Sequence, residues 1–248
     1  MKVFETIWKT VKSAFFPKAC ISCGEIIPDT EYLCKYCMAS LEVCDPDIRC
    51  IHCGLPERSC ECKKRIFRFK GCIAPFENSG AAQRAMYAFK FGRKMNAADF
   101  FAEKMALAVI SEYRNISFDG VCSVPMSRFK KMRRGFNQSE ILAEKLAKLL
   151  KIPFYKDILH CGKSGTVQHE LGYGARFESV RGRYYCRSNN AGRTLLLVDD
   201  IKTTGATLDE CTRVLLFSGC SEIWCVTGLI TKRRKTENNT GNRTEKKV

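Results

Sequence analysis

Two adjacent carboxylates, Asp199 and Asp200, stand between four consecutive apolar residues, Leu195 to Val198, and the run Thr203-Thr204-Gly205-Ala206-Thr207. The apolar run reads as a strand buried on both faces, the pattern of a parallel sheet. Small and hydroxylated residues opening a helix leave backbone N–H groups unpaired, and the helix dipole adds to their pull on an anion. Open α/β sheets take ligands at the carboxyl ends of their strands, where this turn lies. Carboxylates beside an anion cradle suit a ligand with vicinal hydroxyls, or a magnesium ion, together with a phosphate. A sugar phosphate meets that description. Helix capping is the plainer reading of these Asp and Thr residues. It accounts for one side chain, not for two acids followed by a polar loop.

Cysteines form the second constellation. Cys20-x-x-Cys23, Cys34-x-x-Cys37, Cys50-x-x-Cys53 and Cys60-x-Cys62 fall within one short stretch. A Cys-x-x-Cys turn sets two sulfurs ~3.5–4 Å apart, two vertices of a tetrahedron around zinc. Four pairs therefore imply two structural Zn²⁺ ions, with no open coordination position for catalysis. The sequential arrangement joins Cys20, Cys23, Cys34 and Cys37 on one ion and Cys50, Cys53, Cys60 and Cys62 on the other. A cross-brace exchanging the second and third pairs has the same spacing. Gly24 and Gly54 follow their knuckles, where a positive φ is often needed. Cys44, Cys72, Cys122, Cys161, Cys186, Cys211, Cys220 and Cys225 lack metal spacing and read as small apolar residues.

Composition sets the frame. The chain has 248 residues, enough for one sizeable domain and a small one. Lys and Arg outnumber Asp and Glu by 42 to 26, a net charge of +16 that favours anionic partners such as nucleic acid or an anionic membrane face. No apolar run is long enough to span a bilayer. The start carries Phe4, Ile7, Trp8, Val11 and Phe15 at helical spacing, with lysines between that break any signal-peptide core. With sixteen cysteines and no such signal, metal binding is preferred over disulfides and the cytosol over export, the inner face of the membrane being a possible station.

The remaining elements must position these groups. Residues 66–75 alternate bulky and basic side chains as a strand bordering a site would. A helical run over residues 80–110 breaks at Gly92; Lys90, on its first part, reads as an exposed helix lysine or as a phosphate ligand. Residues 119–125 form a second buried strand ending in the turn Ser123-Val124-Pro125-Met126-Ser127. A basic loop, Arg128 to Arg134, follows, and an amphipathic helix begins at Ser139. Arg134 and its neighbours present donors that match phosphate oxygens. Further strands are expected near 154–160, 194–200 and 222–230, with a helix from Leu208 closed by Gly219. Residues 231–248 read as a disordered basic tail. The fold class is α/β, an open and mostly parallel sheet preceded by a cysteine-rich segment. Its expected divisions are an amphipathic helix 1–18, a metal-binding segment 19–64, a ligand domain 65–230 and the tail 231–248.

Asp199-Asp200-x-x-Thr-Thr-Gly-Ala-Thr resembles the phosphoribosyl diphosphate (PRPP) motif of type I phosphoribosyltransferases. Together with the paired cysteines, Val124-Pro125 and Arg134-Gly135-Phe136-Asn137-Gln138, the chain to about Ile230 resembles the ComF (competence protein F) family. The resemblance implies a double zinc ribbon ahead of a phosphoribosyltransferase domain and an association with natural transformation. It implies that Asp199 and Asp200 form the catalytic pair on the ribose hydroxyls, directly or through Mg²⁺ water. Thr203, Thr204, Gly205, Ala206 and Thr207 would wrap the 5′-phosphate, and Ser123 to Ser127 with Arg134 would form the diphosphate loop. Lys90, Gln168 and Arg176 would face substrate from a mobile hood. Some relatives carry an acidic base where this chain has Thr203, so the base is unassigned, as is the acceptor. Implied partners are PRPP, single-stranded DNA, and a DNA-uptake helicase or other competence proteins. The alternative is a non-catalytic DNA-binding or helicase-docking protein that uses the cradle for ligand sensing or DNA phosphates.

Overall fold

The computed structural model describes residues 17–60, 62, 63, 65–92, 94–162 and 180–232. The expected N-terminal helix up to Phe16, the hood residues Gln168 and Arg176, and the tail beyond Lys232 lie outside the described residues. A short helix α1 (Lys35–Ala39) belongs to the cysteine-rich segment. Then follow β1 (Cys72–Ile73), β2 (Phe76–Glu77), α2 (Gly80–Gly92), α3 (Asn96–Glu112), β3 (Gly120–Ser123), α4 (Arg128–Arg134), α5 (Gln138–Leu150), β4 (Leu159–Cys161), β5 (Tyr184–Cys186), β6 (Thr194–Lys202), α6 (Ala206–Phe217) and β7 (Glu222–Ile230).

The main sheet is parallel throughout, ordered β1-β7-β6-β3, with β2 also pairing to β7. Leu195 and Leu197 of β6 face a core shared with α6, while Leu196 and Val198 face another shared with α2, α3 and α5. That two-sided burial is why the strand reads as an unbroken apolar run rather than an alternating one. The expected open, mostly parallel sheet is therefore present. At its edge, β1 and β2 continue one line along β7, interrupted at Ala74-Pro75, because proline has no N–H to give a ladder. The cysteine-rich segment covers that edge: Cys44 N donates to Pro75 O and Glu77 N to Glu42 O.

Three expectations need correction. The strand near 154–160 is not a sheet strand: Phe154 makes a single parallel bridge to Val121. The exposed Lys156 and Asp157 then lead the chain away, and β4 pairs antiparallel with β5 in a separate hairpin-like sheet. The basic stretch after Ser127 is helix α4, not a loop. Ser127 caps it by accepting from Lys130 N, and Gly135 ends it in the left-handed region at φ 85°. Finally, residues 66–71 form no strand; that segment lies over α6, where Arg68 N donates to the buried Asp209.

The cysteine-rich segment shares both cores with the sheet. Cys20, Ile21, Leu33 and Cys34 pack with α2 and α3, and Cys53 and Leu55 pack with Phe67, Phe69 and β6. Its two knuckle glycines differ in a testable way. Gly24 (φ 86°) has open space where a Cβ would stand, whereas at Gly54 (φ 75°) a Cβ would meet Cys72 O at 2.5 Å. A left-handed L-residue costs about 1–2 kcal/mol, and a clash with backbone adds roughly 1–3 kcal/mol. In denaturant melts of the metal-loaded chain, Gly24→Ala should stay within the first range and Gly54→Ala should exceed it. Equal losses would mean that the second knuckle does not sit against β1.

Candidate functional site

Because β3 and β6 are parallel, their carboxyl ends open on the same edge, and Val124 N continues the ladder to Val198 O. Asp199 lies in β6, one residue past the last pairing with β3, with its carboxyl deep among protein atoms. Its Oδ1 accepts from Ser139 Oγ at 2.7 Å and from Asp200 N at 2.9 Å. Burial, and then the charge of Asp200, push its pKa up to about 7. Asp200 is held by Lys90, whose Nζ lies 2.7 Å from Oδ2. Lys90 is thus a mostly buried site residue, not an exposed helix lysine.

Residues 134–138 form the bracket of this site. Asn137 Nδ2 donates to Val124 O while its Oδ1 accepts from Ser139 N, tying the turn after β3 to the start of α5. Gln138, fully buried, donates through Nε2 to Lys90 O and accepts from Arg134 Nη1. Phe136 packs on Phe89 with ring centroids 5.6 Å apart, and Gly135 supplies the positive φ that turns the chain. One contiguous motif therefore locks the loop after β3, Lys90 and Asp199 into a single arrangement.

The resulting cleft, about 250 Å³, is lined by Val124, Pro125, Met126 and Ser127 on one side and by Asp199, Asp200 and Thr207 on the other. Lys90, Lys130, Arg134 and Arg183 complete it with positive charge. Lys130 has its pKa lowered by burial and by the charges of Arg134, Arg183 and Arg133. Cations crowded this closely favour an anion of high charge.

Ser123 is buried at the strand end and opens to an adjoining cavity rather than to this cleft. Thr203 is exposed, and Thr204 is turned inward, its Oγ1 accepting from Ala206 N. Gly205 adopts φ 77°, with Phe67 and Lys202 packed where a side chain would stand. Lys202, only 1 % exposed, lies with Nζ 5.5 Å over the Phe67 ring and has no hydrogen-bond partner among the described residues. Sequence reasoning missed Ser139, Lys130, Arg183 and Lys202. Ser139 and Lys130 sit inside stretches already singled out, but nothing in a linear pattern says which side chains turn toward Asp199 or the cleft.

The cysteines fall into two groups, Cys20, Cys23, Cys34 and Cys37, and Cys50, Cys53, Cys60 and Cys62, each with its sulfurs within 4.8 Å of one another. This is the sequential arrangement. Sγ separations of 3.7 Å for Cys23–Cys34, Cys50–Cys62 and Cys53–Cys60 match the edge of a tetrahedron with ~2.3 Å metal–sulfur bonds. Both groups can hold a metal ion. His52 is not among them: its Nδ1 donates to Lys70 O, and its ring packs on Phe67 and Phe69.

The chain is thus an α/β protein built on a parallel sheet, preceded by two four-cysteine groups. No protein-family model matches the chain. The DNA utilization protein YhgH of Escherichia coli K12 is 25 % identical over 187 residues, covering 71 % of this chain and 82 % of that protein. Competence protein F of Haemophilus influenzae is 29 % identical over 141 residues, 54 % of this chain and 62 % of that one. An adenine phosphoribosyltransferase structure from Saccharomyces cerevisiae overlays with a TM-score of 0.36 and 15 % identity, over 57 % of this chain and 72 % of that one. The chain is thus similar in sequence to proteins named competence protein F and YhgH.

Two predictions follow from the buried charges. Below about pH 4 the folded and unfolded chains both keep the Asp199 proton. Between there and about pH 7 only the unfolded chain releases it, so stability falls as pH rises. Asp199→Asn lacks this loss and should gain on wild type between about pH 4.5 and 7.5 in urea melts; a constant difference would show an ordinary acid. Lys202→Met removes a buried amine that has no hydrogen-bond partner among the described residues, at the loss of its cation–π contact with Phe67, and should raise the urea midpoint. A lower midpoint would show that the amine is satisfied.

Proposed function

We propose that the chain binds PRPP in the cleft at the end of β6 and acts on it as a phosphoribosyltransferase. The observation that carries this is one of placement: a carboxylate pair, Asp199 and Asp200, faces the cationic group of Lys130 and Arg134 across a small polar cleft. The carboxylates suit the ribose hydroxyls. The Thr203–Thr207 turn, opening α6, suits the 5′-phosphate through its backbone N–H groups. Val124 to Ser127, with Lys130 and Arg134, suits the diphosphate.

In such a transfer the bond from ribose C1 to the diphosphate oxygen breaks while an acceptor supplies the new electron pair. Lys130 and Arg134 stabilise the negative charge that collects on the leaving diphosphate. Asp199 and Asp200, held rigid by Ser139 and Lys90, orient the ribose and offset positive charge growing at C1. Mg²⁺, when bound with PRPP, supplies further charge neutralisation on the diphosphate. Asp199 and Asp200 are the side chains that would hold the ion, with Lys90 already paired to Asp200. Gln168 and Arg176 remain hood candidates by resemblance alone.

The two four-cysteine groups of the 19–64 segment take Zn²⁺ as structural ions, their four thiolates leaving no open position. Domain 65–230 carries the cleft. No helix among the described residues is long and apolar enough to cross a membrane, and we place the protein in the cytoplasm, where a peripheral contact with the membrane's inner face is open to it. Relatives named for competence and DNA utilization support a role in handling incoming DNA.

A second reading, a non-catalytic protein binding single-stranded DNA or docking a helicase, draws on α4. That helix exposes Phe129 and Met132 among five cations at the cleft mouth. Calorimetry with PRPP and Mg²⁺ separates the two. Saturable binding lost in Asp199→Ala/Asp200→Ala is expected, followed by diphosphate release once an acceptor is supplied. No binding to wild type would leave the DNA reading, whose affinity should then fall steeply between low and physiological salt.

A further inference from the structure

Away from the cleft, the end of α6 and the β5 strand flank a groove of about 640 Å³. One wall is the unbroken run Tyr184 to Asn189, and the other carries Arg213, Val214 and Phe217. Strand side chains alternate between faces, so a groove on one face would meet every second residue. Successive residues line this one, which therefore runs along the edge of the strand.

The ladder between β4 and β5 fixes which backbone groups face that edge. Leu159, His160 and Cys161 stand opposite Cys186, Tyr185 and Tyr184, and Gly162 N donates to Arg183 O. Bonded and non-bonded pairs alternate along an antiparallel ladder. Tyr185 therefore turns its N–H and C=O to β4, while those of Tyr184 and Cys186 point the other way. No further strand pairs with β5 among the described residues. A strand edge left open is a template for one more strand.

Side chains around the groove state the chemistry of that strand. Phe217, 91 % exposed, lies one turn after Val214 on the helix wall. Arg187 is exposed on the strand wall, its guanidinium 5.4 Å from the centre of the Tyr185 ring. Arg213 faces it from α6, held by Glu210 through Nε and Nη2. Residues 180–193 hold four arginines and no carboxylate. We propose that this edge takes an extended acidic segment of a partner protein as an added strand. Its backbone bonds Tyr184 and Cys186, an apolar side chain rests on Val214 and Phe217, and its carboxylates meet Arg187 and Arg213. A nucleic acid has no row of amide N–H and C=O groups with which to fill a strand edge. A second copy of the chain would set the same arginines against each other, and residues 1–16 and 233–248 are themselves net basic. An acidic partner is what the charge selects.

Fluorescence anisotropy on the full, metal-loaded chain tests this with a labelled Asp-Glu-Asp-Leu-Val-Glu-Phe peptide and a copy carrying lysine in place of each acid. The acidic peptide should saturate at micromolar protein, and the lysine copy should not bind. Of two further copies, N-methylated at odd or at even positions, one should lose affinity about tenfold or more and the other should keep it, since one side of an added strand meets β5. Arg187→Glu/Phe217→Ser changes two exposed residues that do not line the cleft. It should weaken the acidic peptide about tenfold or more while the melting temperature stays that of wild type. No saturation by the acidic peptide at millimolar concentration would overturn the proposal, as would equal affinity for the variant or equal behaviour of the two methylated copies. So would a dimer in sedimentation that the variant dissolves, since a second copy would then occupy the edge. An oligothymidylate that depends on Arg187 and Phe217 where the peptide fails would overturn it in favour of nucleic acid.

Discussion

Two-sided burial of β6 is the constraint from which the cleft follows. Leu195 to Val198 require helices on both faces, and a parallel sheet meets that requirement by returning each strand through a helix. Once β3, β6 and β7 run the same way, their carboxyl ends share one edge, and whatever polar residues follow them must meet there. Asp199, Val124 to Ser127 and the opening turn of α6 are neighbours for this reason, although up to about eighty residues separate them in the chain.

The cleft carries opposed electrostatic costs that the fold tolerates rather than cancels. Asp199 is forced beside Asp200 in a poorly solvated place, and Ser139, a backbone N–H and the charge of Lys90 ease its charge. On the same cleft, burial and the charges of Arg134, Arg183 and Arg133 raise the cost of the Lys130 cation. The Lys90–Asp200 ion pair links the two groups. A ligand with hydroxyls at one end and several negative oxygens at the other relieves both. That shape of deficit is a stronger statement of ligand class than either cluster alone.

Much of this was legible in the sequence because the decisive patterns are local. A continuous apolar run, two acids and a small-residue helix opening lie within one short stretch, and the knuckle spacing needs only a ruler. What stayed hidden depends on tertiary placement. Lys90 looks like any lysine at the end of an amphipathic helix, and only the packing of α2 beside β6 brings it to Asp200. The Arg128–Arg134 stretch looks like a loop by charge, yet Ser127 and Gly135 supply the two ends a short helix needs. Phe154 to His160 carries strand-forming residues, but it meets β3 at a single bridge before turning away, so its propensity had no ladder to join. Lys202 gives no linear sign of its burial at all, since a strand end followed by threonines ordinarily points a lysine to water.

The cysteine-rich segment is less separable from the cleft than its composition suggests. From the first knuckle, Ser22 accepts from Arg84 and so meets α2 on a cavity floored by Tyr87 and Phe91. From the second, His52 packs on the stacked Phe67–Phe69 pair, and Phe67 in turn fills the space behind Gly205 and covers Lys202. One cysteine group thus braces the cavity beside α2, and the other braces the back of the turn that opens α6. Metal sites built from four cysteines contribute folding energy to whatever shares their core. Here that shared core includes both walls of the candidate site, which gives a chemical reason for the paired cysteines to accompany this cleft in a single chain.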